Sequence, residues 1–413
     1  MKFVISDKIN RYNLLGWLIA IIAINNIIAI TPNTQTIYYI FIIITLLFLI
    51  IESKNQIKIS ISAIVLLSAC VVSILFNEIP SFFSPWFRLM LFIFVGGLIG
   101  PFFSSKQLDY FRCSLFIASR WLLLGVTILS ALGHILGFST RMPYFGYYNG
   151  ITTHCNILGL CAAETVIFCS YLLLCNYHNW EYLQKYIFIF FIVISILMIL
   201  GAASRSALLS ALGGLIVLCC FFANKERKLL INVLYVSIFI MIICFPYWKK
   251  TAQIIINKNQ GIQLNFETRI DYWKNGWEVF KKSPLIGDGF AGISSSNFDL
   301  FGIDTNNGRV ETGSSWLAIL DMIGMFGTIP FLVLFFNLIR KLIKFYKETP
   351  NIVILLSSSL VVSIIHMCSE GYILAAGGIG FFLFWSILGV ISSFDNLNII
   401  KSFSRLINNI MIK

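Results

Sequence analysis

The chain has 413 residues, 58% hydrophobic and 12% charged, with a formal net charge of +12 and a mean hydropathy of +0.86. Soluble domains carry about 25% charged residues, so this composition excludes a soluble globular protein and describes an integral membrane protein. The positive balance is read as loop Lys and Arg that orient the chain in a bilayer, not as a nucleic-acid signal.

The N-terminus has a basic start and an apolar run too long for a cleaved leader, so it reads as an uncleaved first helix. A bilayer core needs about 20 apolar residues per helix. Helices are therefore predicted near 13–30, 36–51, 59–76, 87–103, 114–136, 157–175, 186–202, 206–223, 229–246, 315–339, 352–368 and 373–391. This is an all-α membrane protein of about twelve spans. Its charges alternate: Lys2, Lys8, Arg11, Lys54, Lys58, Lys106, Arg112, Lys185, Lys225, Arg227, Lys228, Arg340, Lys341, Lys344, Lys347, Lys401, Arg405 and Lys413 all fall on one side. The positive-inside rule makes that side cytoplasmic, with both termini on it. The units are then 1–246 (spans one to nine), the long outer loop 247–314, spans ten to twelve over 315–392, and a basic tail, 393–413.

The 247–314 interval is the long polar stretch between apolar segments. A loop beyond about 15 residues is usually functional or disordered, and its aromatic content argues for a lid over a site at one membrane face. Within it, Thr268 and Asp271 read as a helix start of the capping-box kind. Ile270, Trp273, Trp277 and Phe280 recur at helical spacing as an apolar stripe. Lys281 and Lys282 suit the C-terminal dipole end, Pro284 stops the helix, and Gly287-Asp288-Gly289 makes a turn. The loop thus holds a short amphipathic helix on the membrane surface or on the bundle.

Arginines on the outer side are the main chemical constellation: Arg141, Arg205, Arg269 and Arg309, with Arg88 and Arg120 further candidates. A guanidinium fork matches phosphate oxygens and never deprotonates, so they suit a lipid diphosphate arriving from the bilayer. Headgroup contact, or ion pairs with Glu267, Asp271 and Glu311, is the plainer alternative. Glu164 and Asp321 lie in apolar segments and are either functional or internal packing pairs. Glu311, His154 and Glu370, with His366 nearby, are candidate proton acceptors. Tyr147, Tyr148, Asn156, Tyr272 and Trp273 are candidate sugar contacts, although Trp and Tyr also gather at membrane interfaces for physical reasons. Ten cysteines without a C-x-x-C and four scattered histidines spell no metal or disulfide framework. No metal or cofactor is expected.

Four stretches in order, GYYNGITTHCNILGL (146–160), GAASRSALLSALGGLIVL (201–218), TRIDYWKNGWEVFKKSPLIGDGF (268–290) and SSWLAILDMIGMFGTIPFL (314–332), resemble the O-antigen polymerase and O-antigen ligase superfamily of bacterial envelope proteins. The resemblance spans roughly 146–390. It implies a metal-independent glycosyltransferase of the inner membrane acting on undecaprenyl-diphosphate-linked oligosaccharide at the outer face. In that family the arginines of the Ser-Arg turn and of the long-loop helix, here Arg205 and Arg269, serve the diphosphate. Ligases typically carry His-Asn at the loop exit, where this chain reads ETGSSW (311–316). That departure favours a repeat-unit polymerase of O-antigen, or of a capsular or exopolysaccharide, working beside a flippase and a chain-length regulator. The alternatives are a ligase moving glycan to lipid A–core, or, in another class, a lipid-linked sugar flippase or other twelve-helix transporter. Transporters usually show internal repeats and a midplane site, whereas the polar features here gather on one face.

Overall fold

A computed structural model describes residues 7–54, 56–141, 147–222, 266–297, 303–305 and 308–409. Its helices are α1 (Asp7–Asn25), α2 (Gln35–Glu52), α3 (Ile61–Phe76), α4 (Pro85–Leu98), α5 (Lys106–Leu136), α6 (Cys155–Asn176), α7 (Tyr182–Gly201) and α8 (Arg205–Phe222). They continue as α9 (Phe266–Lys282), α10 (Ser315–Phe345), α11 (Pro350–His366), α12 (Ile379–Ser392) and α13 (Leu397–Asn409). Among the described residues seven helices are long and apolar enough to cross a membrane, and four shorter ones are apolar. Together they fall on eleven of the predicted positions; the remaining one, 229–246, lies outside the described residues. The chain is an all-α, multi-pass membrane protein.

Inter-loop contacts sort the connections into two ends. At one, Lys58–Ile59 pairs antiparallel with Phe103–Ser104, Lys341 meets Asp395 at 2.6 Å and Lys401 meets Glu348 at 3.9 Å. At the other, Ile28 bridges to Thr152, Ser295 N–H donates to the Glu78 carbonyl at 2.9 Å, and Arg88 donates to the Ala291 carbonyl at 3.3 Å.

Two arginines need correction. Arg112, read as a loop cation, is buried inside α5, which starts eight residues before the expected 114. It donates to the carbonyls of Leu98 (3.1 Å), Gly97 (2.9 Å) and Phe103 (2.7 Å), satisfying the frayed end of α4. Arg120, read among the outer arginines, is also wholly buried in α5. It pairs with Glu164 of α6 at 3.3 Å and lies over the Phe116 ring at 4.6 Å. Glu164 is thus an internal packing pair, and removing either partner of such a pair typically costs about 3–5 kcal/mol. α6 is buried almost along its length; its Gly159 lies so close to Ser204 that an added Cβ would sit 2.8 Å from the serine Cβ, the small-residue contact by which membrane helices approach.

The segment after α9 completes the bundle at a break in α10. Gly324 takes φ 59°, ψ −165°, a conformation essentially restricted to glycine. The loop after α9 inserts there: Asp288 N–H donates to the Asp321 carbonyl (2.7 Å), Met325 N–H to Pro284 (2.9 Å) and Phe326 N–H to Leu285 (2.9 Å). Ser73 of α3 caps the Met322 carbonyl at 2.7 Å. Backbone groups freed by the break are thereby satisfied by protein, the condition for irregular backbone at membrane depth. A Cβ on Gly324 would stand 2.4 Å from the Leu285 oxygen. Gly324→Ala is expected to destabilise the protein by at least about 1–3 kcal/mol, read as a lower unfolding midpoint in detergent, whereas Gly125→Ala, with open space around it, leaves the midpoint nearly unchanged.

Candidate active site

α9 is the amphipathic helix expected in the long loop, and it ends at Lys282 just before Pro284. Its described part opens at Phe266 and includes Thr268, whose side chain, and with it the expected capping, lies outside the described residues. The buried face also differs from the predicted stripe. Gly276 and Val279 face the protein, while Ile270 and Trp277 are exposed. Glycine at 276 lets the helix backbone approach α10, with Asp321 Oδ2 only 3.2 Å from where a Cβ would be. The exposed Ile270 and Trp277 fit a helix lying at a membrane interface.

This seating presents Arg269 to two carboxylates. Its Nη1 donates to Glu311 Oε1 at 2.9 Å and its Nη2 to Glu370 Oε1 at 2.8 Å. Ion pairing with Glu311, the plainer alternative, is therefore what Arg269 does here. The Glu311 side chain is 54% exposed and Glu370's 22%. The Tyr272 hydroxyl also donates to Glu311, at 3.4 Å; burial, then the neighbouring Glu311, raises that phenol's pKa. Trp273 Nε1 donates to the Gly313 carbonyl at 3.0 Å. Gly313 has φ +65°, with the Tyr272 Cβ 2.7 Å from an added Cβ, so side chains are excluded there.

Glu370 joins the α9 site to α6, since Asn156 Nδ2 donates to its Oε1 at 2.8 Å. His154 is the N-cap of α6, and its Nδ1 accepts from Asn156 N–H at 3.1 Å. That nitrogen's lone pair is committed to the cap. Beyond it, Tyr147 is half-buried; burial lifts its phenol pKa, and the charge of Arg205 opposes the rise. Arg205 opens α8 after a turn in which Ala203 takes φ 50°. Asn156, Glu370, Arg269 and Glu311 therefore form one hydrogen-bonded chain, and Tyr147 is coupled electrostatically to Arg205 and to Cys155, the neighbour of Asn156.

Other expected site residues stand elsewhere. Tyr148 is buried and donates its hydroxyl to the Ser130 carbonyl, committing it to packing. The backbones of Arg141 and Arg309 lie in two-residue strands; their side chains lie outside the described residues. His366 is 2% exposed, and among the described residues neither ring nitrogen has a hydrogen-bond partner. Sequence reasoning missed Ser315, which stands at the loop exit. Its hydroxyl donates to the Glu370 carbonyl (2.6 Å) and accepts from Tyr372 N–H (3.0 Å), fixing the turn that carries Glu370. The doubled serine before an apolar run was the available signal.

Fold and site define a class: a multi-pass helical membrane protein whose surface helix holds an arginine among acids at one end of the bundle. Residues 190–332 match the family described as O-Antigen ligase, and the resemblance to the O-antigen polymerase and ligase superfamily is borne out over the stretch carrying Arg205, Arg269 and Glu311. The 146–160 motif and the chain beyond 332 lie outside that match. No curated protein matches the chain.

The exposures set an order for the two acids. Exposed ion pairs contribute about 0.2–1 kcal/mol, so Glu311→Gln is expected to shift stability by less than about 1 kcal/mol. Glu370→Gln weakens charge-assisted bonds on a more buried carboxylate and is expected to cost more, about 1.5–3 kcal/mol. Denaturation midpoints of the two variants in the same detergent check that order.

Proposed function

We propose that the chain is a repeat-unit polymerase of O-antigen or a related capsular or exopolysaccharide. It transfers a growing glycan from undecaprenyl diphosphate to a sugar hydroxyl of another lipid-linked repeat unit, at the outer face of the bacterial inner membrane, with both termini cytoplasmic. The observation that carries the reading is Arg269, held on a surface helix between Glu311 and Glu370, with Asn156 on the same Glu370 oxygen.

In this reading the two carboxylates hold the guanidinium until substrate arrives. The donor's diphosphate, with more negative charge and more acceptor oxygens, takes over the fork. Glu311, the more exposed partner, is released. The acceptor hydroxyl oxygen attacks the anomeric carbon and the bond from that carbon to the diphosphate oxygen breaks. The diphosphate leaves with the electron pair, and the hydroxyl proton passes to the freed Glu311 carboxylate. Arg205 and Arg269 stabilise the charge growing on the leaving group, the differential electrostatic effect that accelerates such steps. Asn156, Tyr147, Tyr272 and Trp273 border the space where the sugars would lie. Arg141 and Arg309 are further candidates for diphosphate contact, and in this reading the chemistry uses no metal.

Ligation onto lipid A–core is the second reading, favoured by the description of the matching family; the loop exit, built of Thr312, Gly313, Ser314 and Ser315 without histidine, supports polymerisation instead. Arg205→Ala and Arg269→Ala are expected to leave the protein folded at normal level while reducing surface polysaccharide to single repeat units on gels. Glu311→Gln is expected to slow polymerisation by about 10²-fold or more, the usual contribution of a general base. Normal chain lengths in both arginine variants would contradict the proposal, and full polymer stranded on the lipid diphosphate would favour the ligase.

A further inference from the structure

A second polar centre lies beneath α9, on the side of the helix facing the break in α10. It is a cavity of about 20 Å³, bordered by Asp288, Asp321, Gly276, Asn275, Thr312 and Glu311. A space of about 10–15 Å³ already admits one water-sized particle, so it has room for a single ion. Asp288 is 5% exposed and Asp321 7%. The Asp288 oxygens accept from Ser294 N–H and Asn297 Nδ2, at 3.0 Å each, which leaves lone pairs on both. Among the described residues Asp321 Oδ1 has no hydrogen-bond partner and no ion pair reaches this carboxylate. Lys282, bonded to Asn297, lies near Asp288 and opposes only that charge.

The helix break sharpens the imbalance. Asp321 sits three residues before Gly324, at the C-terminal end of the first half of α10, where the aligned peptide dipoles add partial negative charge even though the Asp321 and Met322 carbonyls are hydrogen-bonded. Two buried carboxylates, a half-helix C-terminus and a one-particle cavity make an oxygen-rich site of excess negative charge. Discontinuous membrane helices hold cations with such half-helix ends. We propose that this cavity binds a hard divalent cation, calcium or magnesium, which ties α9 and its following loop to the break in α10. Its role is to hold the surface helix in place, and it stands whether or not the chain transfers sugars.

The test uses the full chain in detergent, stripped with chelator. Added calcium or magnesium is expected to raise the unfolding temperature saturably in the low-millimolar range, the affinity of extracellular oxygen sites with few charged ligands. Terbium luminescence excited through tryptophan is expected to appear and to be displaced by calcium. Asp321→Asn and Asp288→Asn each abolish both responses, even where loss of a buried charge raises the metal-free midpoint. The response of Asp288→Asn alone decides the matter if Asp321→Asn does not fold. No saturable shift in the wild type, as a protonated Asp321 would give, overturns the proposal; so does an equal shift in the variants.

Discussion

One guanidinium held between two carboxylates ties the outer site together. Arg269 comes from the surface helix, Glu311 from the loop exit just after the Arg309–Val310 strand, and Glu370 from the turn after α11, which also receives Asn156 from α6. Three separated stretches are thus fixed relative to one another by charge-assisted bonds, each about twice as strong as a neutral one. The same bonds are exchangeable because they lie at a partly exposed edge. An anion with more charge than a carboxylate can replace them without any repacking of the apolar bundle.

That arrangement needs a rigid base, and the break in α10 supplies it. The loop from Ser283 to Asn297 docks into the opened helix by backbone bonds at Asp321, Met325 and Phe326; Asn77, the C-cap of α3, donates to its Gly287 carbonyl, while Ser73 of α3 holds the Met322 carbonyl on the α10 side of the break. The S-P-L-x-G-x-G pattern is therefore a plug: Gly287 lies so close to α10 that an added Cβ would be 2.4 Å from the Met322 carbonyl carbon. Helix α9 leads directly into this plug, so the position of Arg269 is set by a junction some turns away from it.

Much of this was legible in the sequence, and for identifiable reasons. Spans follow from apolar length. The Ser-Arg turn and α9 were visible through Arg205, Pro284 and the helical spacing of apolar residues. The buried face of α9 was not, because a periodic stripe marks apolarity without distinguishing protein from lipid: Ile270 and Trp277 satisfy it by facing outward. Arg112 and Arg120 were misplaced for a related reason. Charge predicts a loop unless a partner waits inside, and their partners, the α4 carbonyls and Glu164, are distant in sequence or hidden in an apolar run. The pairing of Arg269 with Glu370 spans 101 residues, beyond what local pattern can carry.

The central claim is that Glu311 and a lipid diphosphate compete for the same guanidinium. Binding of a short isoprenyl diphosphate to the purified protein tests it most directly, comparing wild type with Arg269→Ala and Glu311→Gln by titration calorimetry. The account predicts that Arg269→Ala weakens binding by about tenfold or more, equivalent to about 1.4 kcal/mol, and that Glu311→Gln tightens it, since a neutral amide surrenders the fork more readily. Unchanged affinity in Arg269→Ala, or weaker binding in Glu311→Gln, would contradict it.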